Sequence, residues 1–404
     1  GKKYSREHLA YLTVICVLKR VMSTRDMDLL IREELQGDRP VQDGYAAFCD
    51  SLDKALNLTA GEMESRPGGE ADLADAAIHF ALLSYVMSPC CAGGPPRRRN
   101  PPPPGKNPKR SVGRMRDFAI MTDSCCDLAS AMAEELDLSV LPLSLHLGGS
   151  VYRNWLDGRD IAFPDFYSRV RGGESATTAA VSVGDFQVEM RRILQSGRDI
   201  LCISFSSALS ATFQSASIAA EDLRQEFPEA RIYVVDSLCA SLGQGLLVWL
   251  CAREREKGRT LEEVRAFAEE TRGRVCHWFT VDDLNHLKRG GRIGAATALF
   301  GTMLSIKPVM HVDDGGRLIP VGKVRGRRAS LLALVDEMEK TAADPQNQTV
   351  FISHGDCLAD AELVSEEVRR RFGTKDIHIN YVGPVIGSHS GPGTVALFFL
   401  GAPR

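Results

Sequence analysis

Short apolar runs alternate with amphipathic segments along residues 117–404, and this alternation restricts the fold more than any other feature of the chain. Apolar runs of this length predict buried strands, and apolar residues at helical spacing between them predict helices. The predicted strands of the first part are 117–121, 139–145, 199–205 and 230–235. The predicted helices between them are 128–136, 186–194 and 212–227. This order is typical of a parallel sheet covered by helices.

Strands return in the last hundred residues, after a segment rich in predicted helix at about 240–274 and 294–304. The turn Asp313-Asp314-Gly315-Gly316 joins the first two of these strands as a hairpin, which predicts some antiparallel pairing. The predicted strands are 305–312, 317–321, 349–353, 377–382 and 395–400, with helices at about 328–341 and 359–372. The fold class is therefore α/β, with a parallel N-terminal unit and a mixed C-terminal unit.

The composition excludes several classes of protein. With 44% apolar and 25% charged residues, the chain is neither wholly disordered nor collagen-like. The net charge of −3 gives no overall basic field, so no nucleic-acid partner is expected. The 11 cysteines include no C-x-x-C pair, which favours free thiols in the reducing cytoplasm.

The first 116 residues differ from the rest. Residues 1–93 are predicted to form a helical segment of unknown role, and their apolar run Leu9–Leu18 is about half as long as a membrane span. A linker rich in Pro and Arg follows at 94–115, where proline excludes helix. Its basic charge also permits a role as an arm for an acidic partner. The predicted domains are 1–93, 94–115, 116–280 and 281–404.

Four polar segments follow predicted strands or helices, where α/β proteins collect ligands. Asp123 and Ser124 come after the first strand, and Ser207, Ser210 and Thr212 come after the third. Hydroxyl groups and free backbone N–H groups at a helix start suit a carboxylate or phosphate, although plain helix capping explains the same residues.

The other two segments carry cations. Arg292 follows the pair Gly290-Gly291, and His389 lies in a Gly- and Pro-rich stretch at 383–394 that is predicted to be a rigid loop. We find no zinc-binding spacing, phosphate loop, dinucleotide-binding motif or activated nucleophile. The residues alone therefore predict an anion site between two α/β units, with no metal, no cofactor and no catalytic residue.

Residues 116–404 resemble the DegV family of bacterial fatty-acid-binding proteins. Four motifs that occur in the family's order carry the resemblance. They are Thr122-Asp123-Ser124 with Asp127-Leu128, Ser206-Ser207-x-Leu209-Ser210-Ala211-Thr212, Leu287-x-x-Gly290-Gly291-Arg292-Ile293, and the segment Gly383 to Gly393.

The resemblance implies two α/β domains that hold one long-chain fatty acid between them, with the acyl tail in an apolar tunnel within the N-terminal unit. The expected contacts of the carboxylate are Thr178, Ser210, Ala211, Arg292 and His389. The residues expected to support them are Asp123, Ser124, Ser207 and Thr212.

The resemblance also implies a carrier subunit and not an enzyme. A separate fatty acid kinase subunit would bind ATP and convert the bound acid to an acyl phosphate for phospholipid synthesis. Arg325 and His389 match family positions that face this partner.

Two departures from the family pattern affect the site. The chain has Thr178-Ala179-Ala180-Val181-Ser182 where the family has Thr-Ser-Gln-Pro-Ser, and Ala211 replaces a glycine. Two other functions stay open. One is a stand-alone enzyme for a small anionic substrate with His389 as general base. The other is an interaction protein that acts through residues 1–116.

Overall fold

The computed structural model describes residues 117–293 and 306–402. The helical segment predicted at 1–93, the linker at 94–115 and the helix at about 294–304 lie outside the described residues.

The strands are listed here in chain order, and their bounds agree with most of the predicted ones to within a few residues. They are β1 (Phe118–Asp123), β2 (Leu138–Leu141), β3 (Ser144–Leu147), β4 (Ser150–Arg153), β5 (Ala176–Ala179), β6 (Asp199–Ser204), β7 (Ile232–Asp236), β8 (Val275–Thr280), β9 (Ile306–Val312), β10 (Leu318–Arg325), β11 (Val350–His354), β12 (Ile377–Tyr381) and β13 (Val395–Leu400).

The helices of the described ranges connect these strands, and two short 3-10 turns, Ser124–Cys126 and Arg272–Arg274, add to them. They are α1 (Ser130–Glu135), α2 (Phe163–Arg171), α3 (Val183–Gln195), α4 (Thr212–Glu226), α5 (Leu242–Glu256), α6 (Leu261–Thr271), α7 (Asn285–Arg289), α8 (Arg327–Thr341), α9 (Leu358–Phe372) and α10 (Pro384–Ser390). Within the described ranges, no helix is long and apolar enough to cross a membrane.

The first sheet has four parallel strands in the order β2-β1-β6-β7. Strands β1 and β6 are buried along their whole length because helices cover both faces of the sheet. The crossovers through α3 and α4 cover one face, and α5 lies against the other. The predicted parallel N-terminal sheet is therefore confirmed.

The second sheet has six strands in the order β10-β9-β8-β13-β11-β12. Only β11 and β12 are parallel, so the predicted mixed sheet is confirmed. Strand β8 was not predicted, and it lies near the centre of this sheet. The predicted boundary at residue 281 assigns β8 to the N-terminal unit, whereas its pairing favours an earlier start of the second unit.

Helix α5 packs between the two sheets and contacts strands of both. Its buried residues Leu246, Leu247 and Val248 belong to one apolar core with Ile120 of β1 and Phe398 of β13. Helices α8 and α9 cover the other face of the six-stranded sheet. The two sheets are thus held by a continuous core, which fixes any cavity between them.

A small antiparallel sheet in the order β4-β3-β5 was not predicted, because four-residue strands leave little periodic signal. Its buried residues Leu145 and Leu147 pack on Phe166 and Tyr167 of α2. In its register, Thr178 of β5 lies opposite Leu145. This sheet therefore places Thr178 beside the main body of the protein.

Residues 384–390, which were predicted to be loop, form the helix α10. The prediction was wrong because Pro and Gly were taken as helix breakers, whereas Pro384 stands in the first turn, where proline is tolerated. Gly387 lies inside the helix and is packed tightly: a Cβ there would lie 2.5 Å from Tyr167 Oη.

Candidate ligand-binding site

A cavity of about 250 Å³ lies between the two large sheets. Most of its wall is apolar, and side chains on or next to both sheets contribute. Apolar lining residues include Leu143, Phe205, Leu209, Phe279, Val312, Val385, Ile386, Ala396 and Phe398. The resemblance implies a tunnel within the N-terminal unit, whereas strands β8 and β13 of the second sheet also contribute to the wall of this cavity.

We call this cavity the inner cavity. The predicted carboxylate contacts all line it, and they belong to four separate elements or loops. Thr178 comes from β5, Ser210 from the loop before α4, Arg292 from the turn after α7, and His389 from the last turn of α10. Thr178 Oγ1 and His389 Nε2 are 2.8 Å apart, which is a hydrogen bond. The structure therefore brings together residues that are up to 211 positions apart in the chain.

Arg292 is held by backbone groups. Its Nε donates to the carbonyl of Leu209 at 3.2 Å, and its Nη1 donates to the carbonyl of Gly290. No carboxylate of the described ranges forms an ion pair with it. Guanidinium has five N–H donors, and the Nη2 group makes no hydrogen bond within those ranges. Within the described ranges, the cation is thus fixed in place and has no acidic partner.

His389 is mostly buried beside Arg292. Burial, and next the positive charge of Arg292, lower the pKa of His389 to about 4. The ring is therefore neutral at pH 7 and forms a hydrogen bond with the Thr178 hydroxyl group. A general base works best with a pKa near the working pH, so this environment does not favour His389 as the base of a stand-alone enzyme.

The predicted start of a helix at Ser210 and Thr212 is confirmed by α4. Ser210 Oγ accepts from the backbone N–H of Thr212 at 3.3 Å and lies 2.9 Å from Thr212 Oγ1. Ala211 also lines the cavity and has φ −74°, a value open to any residue. The exchange of glycine for alanine there introduces no backbone strain.

The second departure from the family pattern is also accommodated. Thr178 and Ala179 end β5, and Val181 is buried. Ser182 caps α3 by accepting from the N–H of Asp185 at 3.0 Å. The altered loop therefore still turns from the strand into a capped helix, and it leaves Thr178 at the cavity.

Asp123 and Ser124 shape the loops around the site and do not line the inner cavity. The Asp123 carboxyl group accepts from the N–H of Cys125 at 3.1 Å and of Phe205 at 2.8 Å, which joins the ends of β1 and β6. Burial raises the pKa of Asp123. Ser124 Oγ accepts from the N–H of Leu143 at 3.0 Å.

Ser207 and Arg325, two further predicted site residues, lie away from the inner cavity. Ser207 is exposed, and its N–H donates to Asp236 at 3.2 Å. Arg325 is exposed at the end of β10 and lines neither this cavity nor the outer one described next.

An outer cavity of about 440 Å³ adjoins the inner one, and its wall is polar. Both cavities are lined by Thr178, Arg292 and His389, which therefore stand between them. Arg289 adds a second cation to the outer cavity, and its Nη2 donates to Nδ1 of His286 at 3.0 Å. Glu174 adds a carboxylate, which pairs with Arg169. Several residues of its wall are exposed, so it faces solvent.

Sequence reasoning missed a second polar group at the inner cavity. Ser241, Ser353 and Ser390 line it, and Asp127 lies behind Ser241. Asp127 and Ser390 were part of recognised motifs but had no assigned role. Ser241 and Ser353 are 112 residues apart, and no spacing rule connects them.

The described ranges hold no group of three or more His, Cys, Asp or Glu side chains placed to bind a metal ion. Every cysteine within them is a free thiol. Burial raises the pKa of the Cys125 thiol, which lines the inner cavity, well above its usual value. The Cys125 thiol is therefore not poised as a nucleophile.

Comparison with known proteins places this geometry in context. A family model described as an uncharacterised protein of the DegV family matches residues 117–402. A DegV domain-containing protein of Clostridium perfringens is 42% identical over 287 residues, which are 71% of this chain and 98% of that protein.

Solved structures match the same part of the chain. One, described as fatty acid binding of a DegV family protein from Thermus thermophilus, has a TM-score of 0.62 at 33% identity and covers 71% of this chain and 100% of its own. Another, DegV from Bacillus subtilis, described as a fatty acid binding protein, has a TM-score of 0.63 at 26% identity and covers 71% and 99%.

Proposed function

We propose, since the chain belongs to the DegV family, that it binds one long-chain fatty acid in the inner cavity. The carboxylate bonds to Thr178, Ser210 and Arg292 beside His389, and the acyl chain lies among the apolar residues of both sheets. One observation carries this proposal above the others: Arg292 is a fixed cation without an acidic partner in the described ranges, at the polar end of an apolar cavity.

The energetics suit such a ligand. Each methylene that leaves water contributes about 0.8 kcal/mol, so a long chain binds well through the apolar wall alone. Hydrogen bonds to a charged group contribute about 1.5–3 kcal/mol each, so the carboxylate fixes the direction in which the acid lies. The related proteins of Thermus thermophilus and Bacillus subtilis, both described as fatty acid binding, add support.

We further propose that the chain presents the carboxylate to a partner kinase, which forms an acyl phosphate. The outer cavity supports this step because it faces solvent and shares Arg292 and His389 with the inner one. Cations there stabilise the charge of an incoming phosphate. Arg325 would contact the partner outside both cavities. In this role the chain is a carrier, and the catalytic groups belong to the kinase.

Fatty acid binding is tested with the delipidated full-length protein and octadecanoic acid, by titration calorimetry. We expect Arg292→Gln to weaken binding by about 10- to 100-fold, because a charge-assisted bond to the carboxylate is lost. Ser210→Ala removes a neutral donor, and we expect a smaller loss of about 3- to 10-fold.

Arg265→Gln is the matched control, because Arg265 pairs with Glu269 on the surface of α6 and touches neither cavity. It should leave the affinity unchanged. The proposal is wrong if the unmodified protein binds no long-chain acid, or if Arg292→Gln and Arg265→Gln behave alike. The kinase step is tested separately, by acyl phosphate formation with ATP and a fatty acid kinase subunit.

A further inference from the structure

Three buried serines form part of the wall of the inner cavity, in addition to the carboxylate contacts. They are Ser241, Ser353 and Ser390. Ser390 is only 5% exposed, and its Oγ has no hydrogen-bond partner within the described part of the chain. A buried hydroxyl group without a partner is unfavourable. A ligand that meets this group with carbon atoms alone leaves it unsatisfied.

Ser241 and Ser353 continue a chain of hydrogen bonds that begins at Asp127. The Asp127 carboxyl group lies 2.5 Å from Ser241 Oγ, and Ser241 Oγ lies 3.0 Å from Ser353 Oγ. Ser241 Oγ donates to the Asp127 carboxyl group, and burial raises the pKa of Asp127 to about 8. Because the Ser241 proton is directed at Asp127, Ser353 donates to Ser241 Oγ, and a lone pair of Ser353 Oγ is left for a donor in the cavity.

Ser390 and the hydrogen-bonded pair Ser241 and Ser353 lie on the same side of the cavity. Ser353 of β11 lies opposite Ala396 of β13, and both line the cavity. Thr394, next to β13, donates from Oγ1 to the carbonyl of Ser390 at 3.1 Å. The wall at the six-stranded sheet therefore carries hydroxyl donors and acceptors that a plain hydrocarbon chain does not use.

We propose that the inner cavity is built for a long-chain acid that carries an oxygen substituent on its acyl chain, a hydroxyl group in the simplest case. This hydroxyl group donates to Ser353 Oγ and accepts a hydrogen bond from Ser390 Oγ. The inference rests on the proposed function and narrows its ligand class from fatty acids in general to oxygenated ones.

The test compares octadecanoic acid with a set of hydroxyoctadecanoic acids that differ only in the position of the hydroxyl group. Each acid is titrated into the delipidated full-length protein. We expect at least one positional isomer to bind about 5- to 10-fold more tightly than octadecanoic acid, the effect of about one net hydrogen bond. Ser390→Ala should remove this preference, so that the ratio of the two affinities falls to about one.

Two further variants keep the test decisive. Ser353→Ala should reduce the same preference, and it replaces Ser390→Ala if that variant does not fold. Ser330→Ala should retain the preference, because Ser330 is a buried serine of α8 outside the cavity whose Oγ donates to the carbonyl of Arg327 at 2.8 Å.

The possible failures are distinct. If octadecanoic acid binds but no hydroxylated isomer binds more tightly, this inference is overturned and the proposed function stands. An equal effect of Ser390→Ala on both kinds of acid also overturns it. If no acid of either kind binds, the proposed function is wrong and the inference falls with it.

Discussion

At the scale of single residues, Asp127 is a carboxyl group buried in the core next to the cavity. It accepts from the N–H of Gly383 at 3.1 Å and lies 2.5 Å from Ser241 Oγ. Burial disfavours the charged form more than these bonds favour it, and the pKa of Asp127 is raised to about 8. The native protein thus holds a proton that the unfolded chain, with an ordinary pKa of about 4, releases.

This difference makes the stability depend on pH. Because the folded pKa lies above the unfolded one, the free energy of unfolding falls as pH rises from about 4 to 8. Asn cannot ionise and has nearly the shape of a protonated Asp. We therefore expect Asp127→Asn to show a shallower fall in the urea midpoint between pH 6.5 and 8, and to be more stable than the unmodified protein at pH 8.

Asp127 and His389 affect the free energy of unfolding in different pH ranges. The pKa of His389 is lowered to about 4, so its effect on stability is complete above its unfolded value of about 6.5. Part of the fall in stability with rising pH remains in Asp127→Asn, since the pKa of Asp123 is also raised. Asp314→Asn, in the exposed hairpin, serves as the control. An unchanged slope in Asp127→Asn would contradict the assignment.

Single residues also show how far sequence reasoning extends. Thr178, Ser210, Arg292 and His389 meet because each follows or ends an element, and such ends converge in α/β folds. The serine pair Ser241 and Ser353 was not predicted, because its meaning depends on burial and on a contact across 112 residues. The binding roles of the four convergent residues stay predictions until a ligand is measured.

At the scale of elements, α7 and α10 pack so closely that Gly290 touches the ring of His389. A Cβ at residue 290 would lie 2.3 Å from His389 Nδ1, although φ −71° at this residue is open to alanine. Gly290, the first of the paired glycines, therefore contacts His389 directly. This packing holds His389 in its place between the two cavities.

A double-mutant cycle tests this contact. We expect Gly290→Ala to destabilise the protein by about 1–3 kcal/mol, because the methyl group overlaps the imidazole ring, and to weaken fatty acid binding. In a His389→Ala background the same substitution should have little effect on the free energy of unfolding, since the ring is gone. Urea unfolding of the four proteins measures the coupling.

Gly184→Ala is the matched control for this cycle. Gly184 lies in α3, and the nearest atom to an added Cβ would be Ser182 Oγ at 3.8 Å. Alanine there should be neutral or slightly stabilising. Equal destabilisation by Gly290→Ala with and without His389 would show that the glycine has another role.

The elements that sequence reasoning missed have physical causes. Strand β8 is buried on both faces, so its sequence Val275-Cys-His-Trp-Phe-Thr shows no alternation and follows a long helical region. Helix α10 contains Pro384 and Gly387, which normally interrupt helices, and close packing against α2 explains the glycine. Long amphipathic helices such as α3 and α4 were found because their apolar faces repeat at helical spacing.

At the scale of the whole molecule, two sheets share one core and enclose the cavity between them. The alternation of strands and helices predicted a parallel sheet, and a hairpin turn predicted a mixed one. Their relative arrangement depends on α5, whose buried face contacts both sheets. That contact is a property of the assembled fold and has no local signal in the chain.

We expect the part of the chain that resembles known proteins to be sufficient for ligand binding. The family model covers 117–402, and the Clostridium perfringens relative is matched over 98% of its own length. All residues that line the two cavities lie between Cys125 and Phe398, within this region. We therefore expect a chain that lacks residues 1–110 to bind octadecanoic acid within about twofold of the full-length affinity, a difference of less than about 0.5 kcal/mol.

Calorimetry on the shortened and full-length proteins measures this difference, and Arg292→Gln in the shortened chain shows whether the same site is used. If the shortened chain folds but loses binding, residues 1–110 contribute to the site, and the hypothesis of a function carried by 1–116 gains support. If binding is retained, the N-terminal region acts on something other than ligand affinity, and its role is to be sought in contacts with a partner.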